Sequence, residues 1–294
     1  MAENKQKLYP IVLVLIAVLL WSTGGLFIKL TTLDAYQVTF FRSFLAAVTV
    51  LLLTRKEGLR INAFGIFTSI IYASLLFLFV WATKKTTAAN AIFLQYTAPI
   101  YILILAPFVI GEKFRWRDLV TVVVVIGGMS LFFVGKLEIA DYQGNIAALF
   151  SGIFLGLYIM LLRHPRAEGF NPAIAVIYGN FLLAALTLPS GIAALPVMTF
   201  SDASAVGFLG IFQIGISYIL FIKGVRGGTR PLDASLIGFI EPLLNPVWVL
   251  IFVGESPSRW AVLGGAIIIT AISIHTVREY LRKTIDGLGS RETA

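Results

Sequence analysis

The stretch PLDASLIGFIEPLLNPVWVLIFVGE (231–255) decides how the chain is read. It is almost wholly apolar, is long enough to cross a bilayer, and places one carboxylate, Glu241, near its middle. Pro242 and Pro246 predict a helix interrupted just after that charge. An acid at membrane depth is costly and marks a functional site by default. Backbone freed by such a break persists only against protein or in a water-lined cavity. A shift of 143 residues lays TTAANAIFLQYTAPIYILILAPFVIGE (86–112) on the same stretch without a gap. Thr86 then meets Thr229, Ala91 meets Ala234, Pro99 meets Pro242, and Gly111-Glu112 meets Gly254-Glu255. The expectation is a duplicated membrane protein.

Composition agrees. Of 294 residues 58% are hydrophobic and only 13% charged, with a mean hydropathy of +0.90. A soluble domain carries about 25% charged residues, so this chain cannot be solvated all round. The absence of cysteine excludes disulfides and thiolate metal sites. The polar lead MAENKQKLYP runs into an apolar stretch from Ile11 to Leu30, longer than a signal-peptide core. It reads as a retained first helix. Further apolar runs lie at roughly 34–54, 62–83, 88–110, 117–135, 144–162, 172–194, 204–224, 231–253 and 259–278. The fold expected is an all-α membrane protein of ten transmembrane helices in two inverted five-helix repeats. The first repeat is 1–138; the second is 139–294 and ends in a polar tail, disordered after Lys283.

The net charge of +8 raises the possibility of nucleic acid, and its distribution argues against it. With the N-terminus in the cytoplasm, 17 of the 23 Lys and Arg residues fall in cytoplasmic segments and four in outer loops. Topology therefore accounts for the positive charge, and both termini are expected inside a bacterial inner membrane. Five spans per half is an odd number, so the second half lies upside down relative to the first. FRSFLAAVTVLLL (41–53) also aligns with YGNFLLAALTLPS (178–190). Inverted repeats place a solute site near the midplane and let the halves rock about it.

Trp21 and Lys29 in the first span, Arg42 in the second, Pro99 and Gly111-Glu112 in the fourth, then Glu241-Pro242 and Gly254-Glu255 in the ninth carry a family resemblance. Over about residues 9–280 the chain resembles EamA-type transporters of the drug/metabolite transporter superfamily. The resemblance implies a ten-helix, two-repeat secondary transporter, often an exporter of amino acids or other small metabolites. It implies no particular substrate.

Arg42 stands ~12 Å into its span by helical rise, and its repeat mate is Gly179; the mate of Glu241 is Ala98. Neither charge is required by what the halves share. Two roles fit them: a mutual ion pair that locks helices, or contact with a solute or a coupling proton. Lys29 either snorkels to the outer interface or turns inward as a second cation. Tyr96 and Tyr218 are the aromatic candidates for a cavity, because their hydroxyls need partners in apolar surroundings. Trp21, Trp81 and Tyr178 are expected to be structural. Gln95, Asn180, Gln213 and Ser217 are polar at mid-depth and serve either the cavity or interhelical hydrogen bonding.

His164 and His275 lie near cytoplasmic ends without metal-ligand company, which predicts a bland interfacial role. No Walker A, HExxH or GxSxG sequence is present, so no cofactor and no metal is expected and transport would run on a gradient or exchange. The partners expected are a small-molecule solute, protons as candidate coupling ion, and the lipid bilayer, with the protein a monomer or weak dimer. A membrane enzyme acting on lipid-linked substrates would need clustered His, Asp or Glu at an interface. A channel or lipid scramblase using the same cavity is the remaining alternative.

Overall fold

Long runs of Leu, Val, Ile and Phe between short polar segments fold into helices in the computed structural model, which describes residues 2–29, 31–86, 88–132, 134, 142–253 and 258–292. No strand occurs among the described residues. The first half holds α1 (Ala2–Ser22), α2 (Gly24–Lys29), α3 (Ala35–Thr54), α4 (Ala63–Lys85), α5 (Ala88–Gln95), α6 (Ala98–Val109) and α7 (Trp116–Phe132). The second holds α8 (Tyr142–Leu161), α9 (Ile174–Ala194), α10 (Phe200–Phe208), a π-helix (Leu209–Ile216), α11 (Ser217–Arg226), α12 (Pro231–Gly238), α13 (Ile240–Val253) and α14 (Arg259–Glu292). Seven segments among the described residues are long and apolar enough to cross a membrane.

Local chemistry sets the helix starts. The Asp34 carboxylate accepts from the N–H groups of Tyr36 and Gln37, and the Gln37 side chain accepts from the Asp34 N–H, a reciprocal cap that opens α3. Asn62 Oδ1 accepts from the Gly65 N–H at 2.8 Å to open α4. Thr199 and Asp202 cap α10 reciprocally. Asp202 also accepts from the Thr31 hydroxyl and the Thr32 N–H, tying the segment before α3 to α10.

Packing between the halves is reciprocal. α1 lies on α11 and α8 on α4; α3 pairs with α9, and α7 with α14. α3 and α7 thus meet their own repeat counterparts, whereas α1 meets the counterpart of α4 and α8 meets α4 itself. The approach is close where glycines allow it. A Cβ on Gly152 of α8 would stand 2.8 Å from the Gln95 carbonyl, and one on Gly156 3.2 Å from that of Ala98, so α8 seats directly against the α5–α6 junction.

Three expectations need correction. The helix in the 231–253 run breaks at Phe239, before Glu241 and not after it, and α13 continues through Pro242 and Pro246. Pro242 sits in the first turn of α13, where a proline's missing N–H costs no intrahelical bond. The first apolar run is not one helix: Ser22 and Thr23 donate their hydroxyls back to Leu19 and Leu20 carbonyls at 2.7 Å, and α2 restarts at Gly24-Gly25. Finally, α14 continues to Glu292 through residues expected to form a disordered tail. No proline interrupts 260–292, and an existing helix extends without a new nucleus.

Candidate functional site

The two broken helices meet at the centre of the molecule. In the first half the chain leaves α5 after Gln95; the Thr97 N–H and hydroxyl both bond the Leu94 carbonyl, at 3.3 and 2.5 Å. α6 then opens with Pro99 in its first turn. In the second half Phe239 makes the break, with its N–H on the Leu236 carbonyl at 3.1 Å, and α13 opens with Glu241 and Pro242. Tyr96 and Phe239 are equivalent under the 143-residue shift. Their rings meet edge to face with centroids 5.1 Å apart.

Beside this contact lies a partly open cavity. Arg42 of α3, Gln95, Tyr96, Gln213 of the π-helix, Tyr218 of α11 and Glu241 all line it. Trp21, Ser235, Phe79 and Phe221 complete much of its wall, with leucines and isoleucines of α4 and α8. Tyr96 donates its hydroxyl to Glu241 Oε2 at 2.6 Å. Glu241 stands in the first turn of α13, where the helix dipole favours negative charge. Arg42 is 8% exposed, its Nε is buried without a hydrogen-bond partner, and no ion pair joins it to Glu241 or any other described residue. The mutual ion pair weighed from the sequence does not form; both charges face the same space separately.

The polar neighbours are held from behind. Gln95 donates to the Ser151 hydroxyl at 2.8 Å, and Ser151 donates to the Leu75 carbonyl at 2.9 Å. Trp21 donates its indole N–H to Ser217 Oγ at 2.7 Å and packs against Tyr218 and Phe221, centroids 4.9 and 4.8 Å away. Trp21, expected to be structural, is therefore a wall of the cavity. Asn180 lies elsewhere: its amide donates to the Tyr72 hydroxyl at 3.1 Å and the Val176 carbonyl at 2.9 Å, making it interhelical glue. Trp81 and Tyr178 do not line the cavity; Tyr178 donates to the Leu59 carbonyl. The side chain of Lys29, and Gly254-Glu255, lie outside the described residues.

The sequence reading missed a second cluster, at the ends of helices where it expected only cytoplasmic loop charges. Arg230, just before α12, donates to Asp118 Oδ2 at 2.6 Å and Glu112 Oε2 at 3.4 Å. Its Nη1 stands 3.6 Å from Asp233 and 3.7 Å from Glu279. Glu279 also pairs with Arg115 and Arg282, and Glu112 with Arg163. Burial works against the Arg230 charge, but the Asp118 hydrogen bond and the Asp233, Asp118 and Glu112 carboxylates outweigh it, so the guanidinium stays above its ordinary value. His275 is no bland interfacial residue: it is buried, with Nε2 2.9 Å from Asp233 Oδ1 and Nδ1 3.2 Å from Thr121 Oγ1. His164 does stay half exposed, capping a turn by accepting from the Arg166 N–H. The cluster joins the loop before α7, from the first half, to α12 and α14 of the second.

Helices of membrane length, two meeting breaks and a charged cavity between the halves define a polytopic membrane protein built for a solute. Residues 8–134 and 142–277 each match the EamA-like transporter family, and the chain belongs to that family. It is thus a multi-pass membrane transporter by family and not an enzyme. It is 24% identical over 269 residues to an uncharacterized transporter of Archaeoglobus fulgidus, covering 89% of this chain and 94% of that one. It is 23% identical to the pseudopaline exporter CntI of Pseudomonas aeruginosa (82% and 85% covered). It is 24% identical to a probable terminal-alkyne amino-acid exporter of Streptantibioticus cattleyicolor, with 66% of each chain covered. A solved crystal structure shares the fold with a TM-score of 0.78 at 21% identity, covering 90% of this chain and 96% of that one.

Proposed function

We propose that the protein is a secondary-active exporter of small metabolites such as amino acids, working by alternating access about the central cavity. It does so with ten transmembrane helices in two inverted repeats, 1–138 and 139–294, and with both termini on the cytoplasmic side of a bacterial inner membrane. The observation that carries the reading is the pair of unjoined charges: among the described residues Arg42 has no partner and Glu241 is held only by Tyr96, and both face one cavity. A guanidinium presents a planar fork of donors suited to a carboxylate. Glu241 receives an ammonium group or carries the coupling proton. The names of two relatives, an exporter of pseudopaline and a probable amino-acid exporter, support the same solute class. Monomers suffice for this mechanism, since both halves of the site come from one chain.

The test is exchange of amino acids and small acids by the purified protein in liposomes. Arg42→Gln and Glu241→Gln each leave folded protein in the membrane and abolish exchange, and Glu241→Gln removes its dependence on a pH gradient. If both variants exchange at the wild-type rate, the central assignment is wrong. Saturable counterflow is the outcome for a carrier; its absence with rapid leak points to a channel or scramblase. Topology is tested by reporters fused after Ala294 and within residues 55–60, both of which register as cytoplasmic.

A further inference from the structure

The central cavity has a neighbour. A second, smaller and partly open cavity lies toward the segments that carry Arg55, Arg60, Arg163 and Arg166, the arginine-rich loops, and is lined by Phe64, Thr68, Tyr158, Phe170, Ala175 and Arg226 among others. The same helices carry both. On α4, Thr68 faces the second cavity and Leu75 and Leu76 the central one, with Tyr72 between them in the chain. On α8, Leu161, with Leu162 just past its end, faces the second cavity, and Leu155 and Ile159 the central one. On α11, Arg226 reaches the second and Tyr218 the central. Thr68 and Leu75 are ~10 Å apart by helical rise.

Three tyrosines fill the level between. The Tyr72 ring is 5.1 Å from that of Tyr158 and 5.0 Å from that of Tyr218, and Tyr158 and Tyr218 are 6.1 Å apart. Asn180 fixes Tyr72 through its hydroxyl. Tyr158 is 1% exposed, and its buried hydroxyl has no hydrogen-bond partner among the described residues. A buried hydroxyl left unpaired is destabilising, and this one belongs to a residue that borders a cavity.

We infer that the second cavity is an inner station on the solute route, that it holds a molecule with a carboxylate and an apolar body, and that the tyrosine layer is the barrier between the two stations. The inference rests on the transporter reading of the central cavity. Among the described residues that line it, Arg226 is the one cation and none is an acid. One of its Nη1 bonds goes to the Ala167 carbonyl at 3.2 Å, and the rest of the fork is free among the described residues. Asn171 is committed to structure: its amide donates to Thr54 and to the Gly58 carbonyl, and its Oδ1 accepts from the Ala173 N–H. The polar demand of a ligand therefore falls on Arg226 and Tyr158, a cation and a neutral hydroxyl suited to a carboxylate. Phe64, Phe170, Leu161 and Ile174 supply the apolar wall.

The natural absence of cysteine makes the test direct. Thr68→Cys and Ser235→Cys are placed singly in the full-length protein, in vesicles of known sidedness, and labelled with a membrane-impermeant maleimide from each face. The Thr68→Cys thiol labels from the face of the arginine-rich loops at least tenfold faster than from the other. Adding Tyr158→Ala to Ser235→Cys raises labelling of position 235 from that same face at least tenfold; Tyr158→Phe, which keeps the ring, does not. Millimolar leucine or 4-methylpentanoate slows labelling at position 68 severalfold, and Arg226→Gln removes that protection. A thiol at 68 unreachable from the arginine-rich face, or no effect of Tyr158→Ala, overturns the barrier. Failure of both compounds to protect position 68 overturns the ligand assignment. Failure of the transporter reading is distinguishable: position 68 is protected, but position 235 is not and wild-type protein exchanges nothing.

Discussion

Arg42 and Arg230 are equally buried, at 8% and 7% exposure, and are surrounded in opposite ways. Arg230 sits among Asp118, Glu112, Asp233 and Glu279, with its best bond at 2.6 Å. Arg42 has none of these, and the acid that shares its cavity, Glu241, takes its hydrogen bond from Tyr96 instead. A buried ion needs partners to offset its desolvation. Where the protein supplies them in full, the charge serves the fold and joins the two halves. Where the described residues supply none, the charge faces the central cavity.

The largest effect expected from this contrast is at Arg230. Arg230→Ala removes the cation shared by Asp118, Glu112, Asp233 and Glu279 and leaves buried Asp118 without its ion-pair partner, which costs about 3–5 kcal/mol. The thermal unfolding midpoint in detergent falls accordingly, and the yield of folded protein in membranes drops. A midpoint within a degree of wild type would mean that the cluster adds nothing to the fold, and the contrast would lose one side.

Next comes the bond that holds Glu241. Tyr96→Phe keeps the edge-to-face contact with Phe239 and removes only the hydroxyl donor. Loss of a hydrogen bond to a charged group costs roughly 1.5–3 kcal/mol, so the variant is less stable, and exchange that depends on a proton gradient slows. Unchanged stability together with unchanged exchange would show that Glu241 does not depend on Tyr96. A smaller effect falls on the wall: Ser217→Ala removes the acceptor of the Trp21 indole and costs about 1 kcal/mol. Measured as solute affinity at constant maximal rate, it reports on Trp21 as a contact; a change in stability alone reduces Trp21 to packing.

The sequence made one side of this contrast visible and hid the other. Arg42, Glu241, Tyr96 and Gln95 stand out because a polar group within an apolar run breaks a strong pattern, and the 143-residue shift puts Tyr96 opposite Phe239. Arg230, Arg115 and Arg163 lie in loop segments where basic residues are expected on topological grounds, and that sufficient explanation conceals their pairing. His275 was obscured in the same way, since its partners Asp233 and Thr121 are distant in sequence. The break at Phe239 was misplaced by two or three residues because Pro242 marks the start of a helix and was read as the end of one. The π-helix over 209–216, which carries Gln213, has no signal in hydrophobic spacing. Asn180 looked like a cavity residue because depth in a span is legible, and the direction of a side chain is not.

The smallest expected change in stability is the most discriminating. Arg42→Met replaces a buried, unpartnered guanidinium by an apolar side chain that fits among Leu75, Leu76 and the neighbouring aromatics. Removing a charge that lacks compensation relieves its desolvation and leaves no other charge exposed to a loss, because none of the described residues pairs with it. The unfolding midpoint should therefore stay within about 1 kcal/mol of wild type or rise, while amino-acid exchange disappears. Arg230→Met provides the control, because there an apolar replacement strands buried Asp118 and takes one cation from Glu112, Asp233 and Glu279. If Arg42→Met destabilises as much as Arg230→Met, the cavity arginine has a structural partner in the membrane-embedded protein, and its role as a solute anchor fails. If Arg42→Met is stable and still exchanges solute, the arginine is dispensable to both fold and transport, and the carboxylate-binding half of the proposed site must be sought elsewhere along the cavity wall.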